Sequence, residues 1–182
     1  GENLGARGLW AKSTLFEESA GIPLIMAGPD VPEHRVIKEP VSLVDVFPTV
    51  LECVGVERAK EDADLPGMSL LEAAQGKLPK RTVLSEYHAV ASPSGSFMIR
   101  RGRFKYIYYC GYAPMLFDLE HDPCERHDLS PLPEYRDELA ACEAQLRAIV
   151  DPEAIDRLAH ADQREMVERL GGKGVIMQRG AV

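Results

Sequence analysis

No stretch of this 182-residue sequence is long and apolar enough to cross a bilayer. Its apolar runs, such as Ile22 to Ala27, fall far short of the roughly 18 residues that a membrane helix needs. No basic-then-apolar leader opens it, so nothing marks it for export and a cytoplasmic location is expected. Positive charge is in short supply: 21 Lys and Arg face 29 Asp and Glu, for a net charge of −8. That balance argues against a nucleic-acid partner, which needs a basic face. An anionic small substrate remains allowed, because one cation in a pocket outweighs distant, screened surface charge. The four cysteines, Cys53, Cys110, Cys124 and Cys142, form no C-x-x-C pair and have no histidine at zinc-finger spacing. They read as reduced thiols, with Cys53 and Cys142 as small core residues on apolar helix faces. His34, His88, His121, His127 and His160 make no H-x-x-x-H pair, so a histidine metal site is not expected.

What is present is an ordinary globular composition, 45% hydrophobic and 27% charged, in a chain long enough for one domain or one and a half. Gly1 to Gly8 carries three glycines in eight residues and reads as a loop in the middle of a domain, with unusual backbone angles or a close approach. Pro23 to Ala27, ended by Gly28-Pro29-Asp30, predicts a short buried strand and a turn. Val41 to Val54 predicts a helix capped by Asp45, with Pro48 in its first turn and Gly55 as its stop. Val46, Phe47, Val50, Leu51 and Val54 would form its apolar stripe. A charged linker follows, and Pro66 to Ser69 turns into a short helix ending near Gly76.

From Arg81 the pattern changes. Val83–His88, Phe97–Arg101, Phe104–Cys110 and Leu116–Leu119 are short β-rich runs separated by turns, a spacing that favours an antiparallel meander. A helix is predicted from Glu134 to Val150, with Tyr135, Leu139, Cys142, Leu146 and Ile149 along one face. Together these predict an α+β subdomain with a one-sided core. Asp151-Pro152-Glu153 is a strong helix start, and Ile155, Leu158, Ala159, Met166 and Leu170 make a stripe closed by Gly171-Gly172. That stripe has no obvious partner within the chain.

Four features of the sequence could carry chemistry. Asp118 to Glu125 begins like a calcium loop, then fails where Pro123 replaces the sharp-turn glycine and Leu129 the closing glutamate. A strand end and capped turn is the plainer reading. Arg100, Arg101, Arg103 and Lys105 form a basic hairpin tip that reads as a solvated turn. Lys12 lies between the glycine-rich loop and an apolar run, two residues after Trp10. A lysine there can rest its stem on apolar surface and put its ammonium into a pocket as a point charge for an oxyanion, or it can be a surface lysine. His88, at the end of Leu84-Ser-Glu-Tyr-His, is a second candidate pocket donor, with a structural histidine as the alternative.

The string Gly1-Glu-Asn-Leu-Gly-Ala-Arg-Gly-Leu-Trp-Ala-Lys-Ser-Thr-Leu-Phe-Glu-Glu resembles the sulfatase segment that follows the second pair of metal ligands. Pro23-Leu-Ile, Val41-Ser-Leu-Val-Asp-Val-Phe-Pro-Thr-Val-Leu and Gly67-Met-Ser-Leu-Leu continue the resemblance in order. Gly102-Arg-Phe-Lys-Tyr-Ile and Leu116-Phe-Asp-Leu-Glu-His-Asp-Pro-Cys-Glu resemble the C-terminal subdomain hairpin and closing motif of that family. The likeness covers about residues 1 to 130 and is nearest to the bacterial choline-sulfatase and phosphonate-monoester-hydrolase branch of the alkaline phosphatase superfamily. The segment from Asp151 is similar to C-terminal extensions of bacterial sulfatases.

The resemblance implies a fold, a chemistry and a division of labour. The fold is α/β: residues 1–56 as the C-terminal edge of an alkaline-phosphatase-like catalytic domain, and 57–80 as a linker with a short helix. Residues 81–150 follow as an α+β subdomain with a four-stranded antiparallel sheet and a packed helix, and 151–182 as a helical tail and possible subunit contact. The chemistry is sulfate-ester hydrolysis by a formylglycine nucleophile made from a Cys or Ser in C/S-x-P-x-R, a motif no residue of this chain begins. The gem-diol attacks sulfur, and the sulfated intermediate collapses to sulfate and aldehyde. A divalent metal, calcium first with manganese or magnesium as substitutes, polarises the sulfuryl oxygens, and its ligands are expected upstream of Gly1 rather than in this chain. Lys12 matches the family lysine that reaches a sulfate oxygen and the leaving-group side. The chain would then be a catalytically incomplete part of a sulfatase that forms homo-oligomers, with a small sulfate ester as substrate. A phosphonate monoester or phosphodiester hydrolase of the same superfamily, or a non-catalytic sulfatase-like interaction module, are the alternatives.

Overall fold

Alternation builds the centre of the molecule. In the computed structural model, which describes residues 1–89 and 92–178, four strands form one antiparallel sheet in the order β1 (Thr82–Tyr87), β2 (Ser96–Arg101), β3 (Phe104–Tyr109), β4 (Met115–Asp118). The register sets Ile99 opposite Tyr106 and Met98 opposite Ile107. The β2–β3 connection is the two-residue loop Gly102–Arg103, with Gly102 at φ 55°, an angle that glycine adopts without steric cost. The meander expected from the turn spacing is the observed topology.

Both faces of this sheet are covered, which corrects the expected one-sided core. On one face Phe97, Ile99, Tyr106, Cys110 and Leu116 pack against Cys142 and Leu146. Those two residues come from α4 (Arg136–Ile149), which Pro133–Tyr135 leads into as a 3-10 turn. On the other face Met98, Ile107 and Phe117 pack against Leu15, with Phe16 and Ala20 at its margin. Phe16 precedes and Ala20 ends the single-turn helix α1 (Glu17–Ala20). Period-2 alternation therefore carries apolar side chains to both sides, and four consecutive residues of β2 are buried. Ile149, expected on the buried face of α4, is exposed near the helix end.

The segment before the sheet is looser. A 3-10 turn, Leu43–Asp45, runs into α2 (Val46–Cys53), and Leu70–Ala74 forms α3 with the Ser69 hydroxyl accepting from the Leu71 amide. Asp45, expected as the side-chain cap of α2, is fully buried and makes no cap bond to that helix, because its carboxylate is turned to other partners. Its carboxylate accepts the Ser42 amide at 2.7 Å and the Met68 amide at 2.9 Å, and takes both contacts from Arg81 at 3.0 Å. The Thr49 hydroxyl donates to the Asp45 carbonyl and accepts the Leu70 amide, so α2 and α3 lock at that point. Two expectations fail here. Val46, Phe47, Val50, Val54 and Cys53 are exposed, because α2 buries only Thr49 against this chain, with Pro48 and Leu51 half-buried. Residues 23–27 form no strand, and Leu24 and Ile25 are exposed: no other strand lies beside them among the described residues.

The tail begins as expected. Asp151 caps α5 (Pro152–Arg169) by accepting the Ala154 amide at 2.9 Å, with Pro152 at the first helical position. Glu153 joins α5 to the sheet, accepting from the Tyr108 hydroxyl at 2.8 Å and from Arg147 at 2.9 Å. Beyond Ile155, which packs on the sheet core, Leu158, Met166 and Leu170 are exposed. A short α6 (Lys173–Gln178) closes the described chain.

Candidate functional site

The glycine-rich segment folds as a closed loop with an uncommon backbone. Leu4, Arg7, Ala11 and Ser13 all hold positive φ, between 47° and 80°. A side-chain-bearing residue in the left-handed region costs about 1–2 kcal/mol, so this loop stores on the order of 4–8 kcal/mol and survives only if its surroundings over-determine it. They do so at three points. Buried Asn3 donates through both its amide and its side chain to the Ala11 carbonyl, at 2.9 and 2.7 Å. The Tyr87 hydroxyl donates to Ser13 Oγ at 2.9 Å, fastening the loop to the end of β1. Arg7 makes the third attachment.

Arg7 reaches out of the loop to the turn that follows β4. Its guanidinium donates to the Cys124 carbonyl at 2.8 Å and the Glu125 carbonyl at 3.0 Å, and lies 3.9 Å from the centre of the Phe16 ring. Beneath it is a charged cluster in which Lys105 and Glu125 are enclosed while Glu17 keeps an exposed edge. Lys105 and Glu125 have fully enclosed side chains, and the Lys105 ammonium stands 2.8 Å from Glu125 Oε1 and 2.8 Å from Glu17 Oε1. The contact to Glu125 is an ion pair rather than a directed hydrogen bond. Glu125 Oε2 accepts the Glu17 amide at 2.7 Å and approaches Arg7 Nη2 at 3.4 Å. Charges removed from water this thoroughly persist only when paired and hydrogen-bonded, as these are.

Lys12 sits between Ala11 and Ser13 on this fastened loop, and is exposed. Trp10 is also exposed, its ring edge passing over Gly5. The loop therefore presents a free-standing lysine from a backbone that is tied down on either side of it. His88 is placed elsewhere. It follows β1 on the face opposite Tyr87, stacks edge-on against Phe97 at 5.2 Å, and lines a water-sized polar cavity with Ser94, Asp156, His160 and Gln163. Its carbonyl accepts from Gln163 at 2.6 Å. The structure brings His88 to α5.

The hairpin tip is not the solvated cluster expected. Lys105 is the buried cation just described, Arg101 is paired with Glu138, and Arg103 with Asp118 at 3.3 Å. Arg100 donates to the Arg103 carbonyl, and burial lowers its basicity although Glu17, Glu125 and Asp118 act the other way. Asp118 to Glu125 is a capped turn, as the plainer reading had it. Partial burial raises the Asp118 carboxyl, but the His121 ring at 2.9 Å, the Glu120 amide and Arg103 more than offset this and hold it below its ordinary value. Asp122 accepts the amides of Arg126 and His127. Among the described residues no three His, Cys, Asp or Glu side chains converge as a metal site would require, so the residues present do not fit a metal ion.

Comparison with known proteins bears on this arrangement. Residues 5–151 match the family described as N-sulphoglucosamine sulphohydrolase, C-terminal. A choline-sulfatase from Rhizobium meliloti (strain 1021) is 40% identical over 134 residues, 73% of this chain and 26% of its own length. A solved structure described as a 2-O GAG sulfatase superposes with a TM-score of 0.70 at 26% identity, covering 91% of this chain and 36% of its own. A phosphonate monoester hydrolase from Silicibacter pomeroyi shares the fold, with a TM-score of 0.67 at 24% identity, covering 81% of this chain and 32% of its own. The chain thus spans about a quarter to a third of the length of these proteins.

Proposed function

The chain belongs to the N-sulphoglucosamine sulphohydrolase C-terminal family, and from that premise we propose that it is the C-terminal part of a sulfatase that hydrolyses small sulfate esters, with Lys12 as its contact to the sulfuryl group. The observation that carries the role of Lys12 is the loop of residues 3–13. Its backbone is strained at four side-chain-bearing positions and fastened by three attachments, through Asn3 to Ala11, Arg7 and Ser13, and the one lysine it carries is left exposed. Strain of this kind collects where a chain must hold a reacting group in place. In this reading the ammonium donates to a sulfuryl oxygen and strengthens that bond as charge builds on the leaving oxygen, which lowers the barrier rather than the ground state.

The formylglycine nucleophile and the divalent metal, calcium first, belong to the rest of the protein. Residues 1–56 are the edge of the larger catalytic α/β domain, against which the exposed Leu24, Ile25, Phe47 and Val50 would pack. The exposed stripe of α5 is a subunit contact in a homo-oligomer. His88 serves the docking of α5, where its neighbours are.

The shared fold of the phosphonate monoester hydrolase makes that chemistry the second reading, since a lysine that meets sulfuryl oxygens also meets phosphoryl ones. Steady-state kinetics of the complete protein on an aryl sulfate and on an aryl phosphonate monoester separate the two. The proposal requires kcat/KM for the sulfate to be higher by at least about tenfold, a discrimination that transition-state contacts readily supply. The reverse order assigns the phosphonate chemistry, and no turnover of either ester makes the chain part of a non-catalytic module.

A further inference from the structure

We infer that Arg7 is a positioning residue for Lys12, and that the turn ending at Glu125 is the anchor through which the C-terminal sheet sets the geometry of the loop; the catalytic half of this inference rests on the reading of Lys12 above. Arg7 leaves the loop for the turn after β4, 118 residues later in sequence. It spends both terminal nitrogens on main-chain carbonyls there, Cys124 at 2.8 Å and Glu125 at 3.0 Å. Glu18 and Glu125 each bring a carboxylate oxygen to 3.4 Å of the guanidinium and supply charge, while the two shorter bonds to adjacent carbonyls fit the planar fork and fix its direction. The anchor is itself immobilised. Glu125 is enclosed, held by the Lys105 ammonium and by the Glu17 amide, and Glu17 lies in the same segment as the loop it helps to fix. Phe16 closes the remaining side by stacking under the guanidinium. Arg7 itself adopts φ 55°, so releasing its side chain also releases one of the strained backbone positions five residues before Lys12.

Two readouts test this, and each can fail alone. Trp10 is the sole tryptophan of this 182-residue chain and lies on the same loop, so in the complete protein, with any tryptophan outside this chain replaced by phenylalanine in parent and variants alike, its time-resolved anisotropy reports loop order directly. Arg7→Ala should lower its residual anisotropy to roughly half, while the far-UV melting curve of the sheet and helices stays cooperative. Arg7→Lys keeps the charge without the fork, and should restore only part of the order. In the complete protein Arg7→Ala should lower kcat on an activated sulfate ester by about 10- to 100-fold with KM within about threefold, because a displaced group costs turnover more than binding. Combining it with Lys12→Ala should cost little beyond the worse single variant, as for two residues acting through one contact.

Unchanged Trp10 order in Arg7→Ala overturns the inference, whatever the kinetics show. Loosened Trp10 with unaltered kcat, in a protein that Lys12→Ala does impair, overturns the positioning role. Failure of the Lys12 reading looks different: Lys12→Ala alone is unimpaired, while the Trp10 result still decides whether Arg7 holds the loop.

Discussion

Replacing Lys105 with methionine should be among the most damaging single changes in this chain. The side chain is fully enclosed, and its ammonium lies 2.8 Å from Glu17 and 2.8 Å from Glu125, whose own side chain is enclosed as well. Methionine keeps most of the volume, so packing changes little and the loss is electrostatic. Glu125 would then depend on the Glu17 amide and on Arg7 at 3.4 Å, a distance at which the guanidinium hydrogen bond is weak. Removing one partner of a buried pair costs about 3–5 kcal/mol, because the other charge is left uncompensated. For a chain of this size that is a fall in Tm of about 6–20 °C. The decisive comparison is the double variant Lys105→Met/Glu125→Leu, which removes both charges. It should recover a large part of the loss, since an apolar pair of similar volume is often as stable as the ion pair it replaces. Urea unfolding followed by circular dichroism measures all three proteins. A Lys105→Met variant within about 1 kcal/mol of the parent would refute the argument that this network carries the junction between the loop and the sheet.

The other expectations concern the tail and the thiols. Hydrogen bonds from Arg147 and then Tyr108 hold the Glu153 carboxyl at about 2, below its ordinary 4.5. A depressed carboxyl stabilises the fold above its unfolded value and loses that contribution as pH falls toward the folded one. The stability gap between the parent and Glu153→Gln, at most about 1 kcal/mol for so exposed a pair, should therefore hold at neutral pH and close between pH 4.5 and 2 in acid titrations of urea stability. Burial pushes the Cys110 thiol up to about 11 and the Cys142 thiol up to about 12, whereas Cys53 and Cys124 are exposed. A thiol-disulfide reagent at pH 8 should label Cys53 and Cys124 quickly, and the other two only after denaturant is added, as peptide mass spectrometry would show. Deleting residues 151–182 from the complete protein should lower its mass in light scattering if the α5 stripe joins subunits; an unchanged mass assigns the stripe to contacts within one subunit.

Much of the fold is legible in the sequence because its signals are local. The four strands follow from alternation and from turns such as Gly102-Arg103, and the start of α5 from Asp151-Pro152. The second face of the sheet is not legible in this way, because Leu15 and Phe16 come from a short segment some eighty residues before the strands they cover. The apolar run at residues 23–27 shows the same limit from the other side. Its composition suits a strand, but a strand is made by its neighbours. The apolar stripe on α2 has correct helical spacing and is nevertheless exposed, since spacing fixes a face and not what lies against it.

The candidate site divides along similar lines. The glycine content marks Gly1 to Gly8 as an unusual loop, but nothing in the residue types announces that Leu4, Ala11 and Ser13 also hold positive φ. No local signal groups Arg7, Glu17, Lys105 and Glu125, because the network joins residues as far as 118 positions apart. One signal was available. Lys105 alternates with Ile107 on the same face of β3, so a sheet covered on that face had to bury the lysine and find it a partner. That register, and not the run of basic residues at the hairpin, decides that Lys105 is buried.

The central claim is that this chain supplies the lysine that meets the sulfuryl group in a sulfatase. Lys12→Ala in the complete protein tests it most directly, by steady-state kinetics on one activated aryl sulfate, with metal content and formylglycine conversion matched to the parent. The account predicts that kcat/KM falls by about 10²- to 10³-fold, the effect of losing one donor to a developing charge. It also predicts that Lys12→Arg recovers only part, because a planar fork does not replace a compact ammonium. An alanine variant that turns over at the parent's rate would show that Lys12 is a surface lysine and contradict the account.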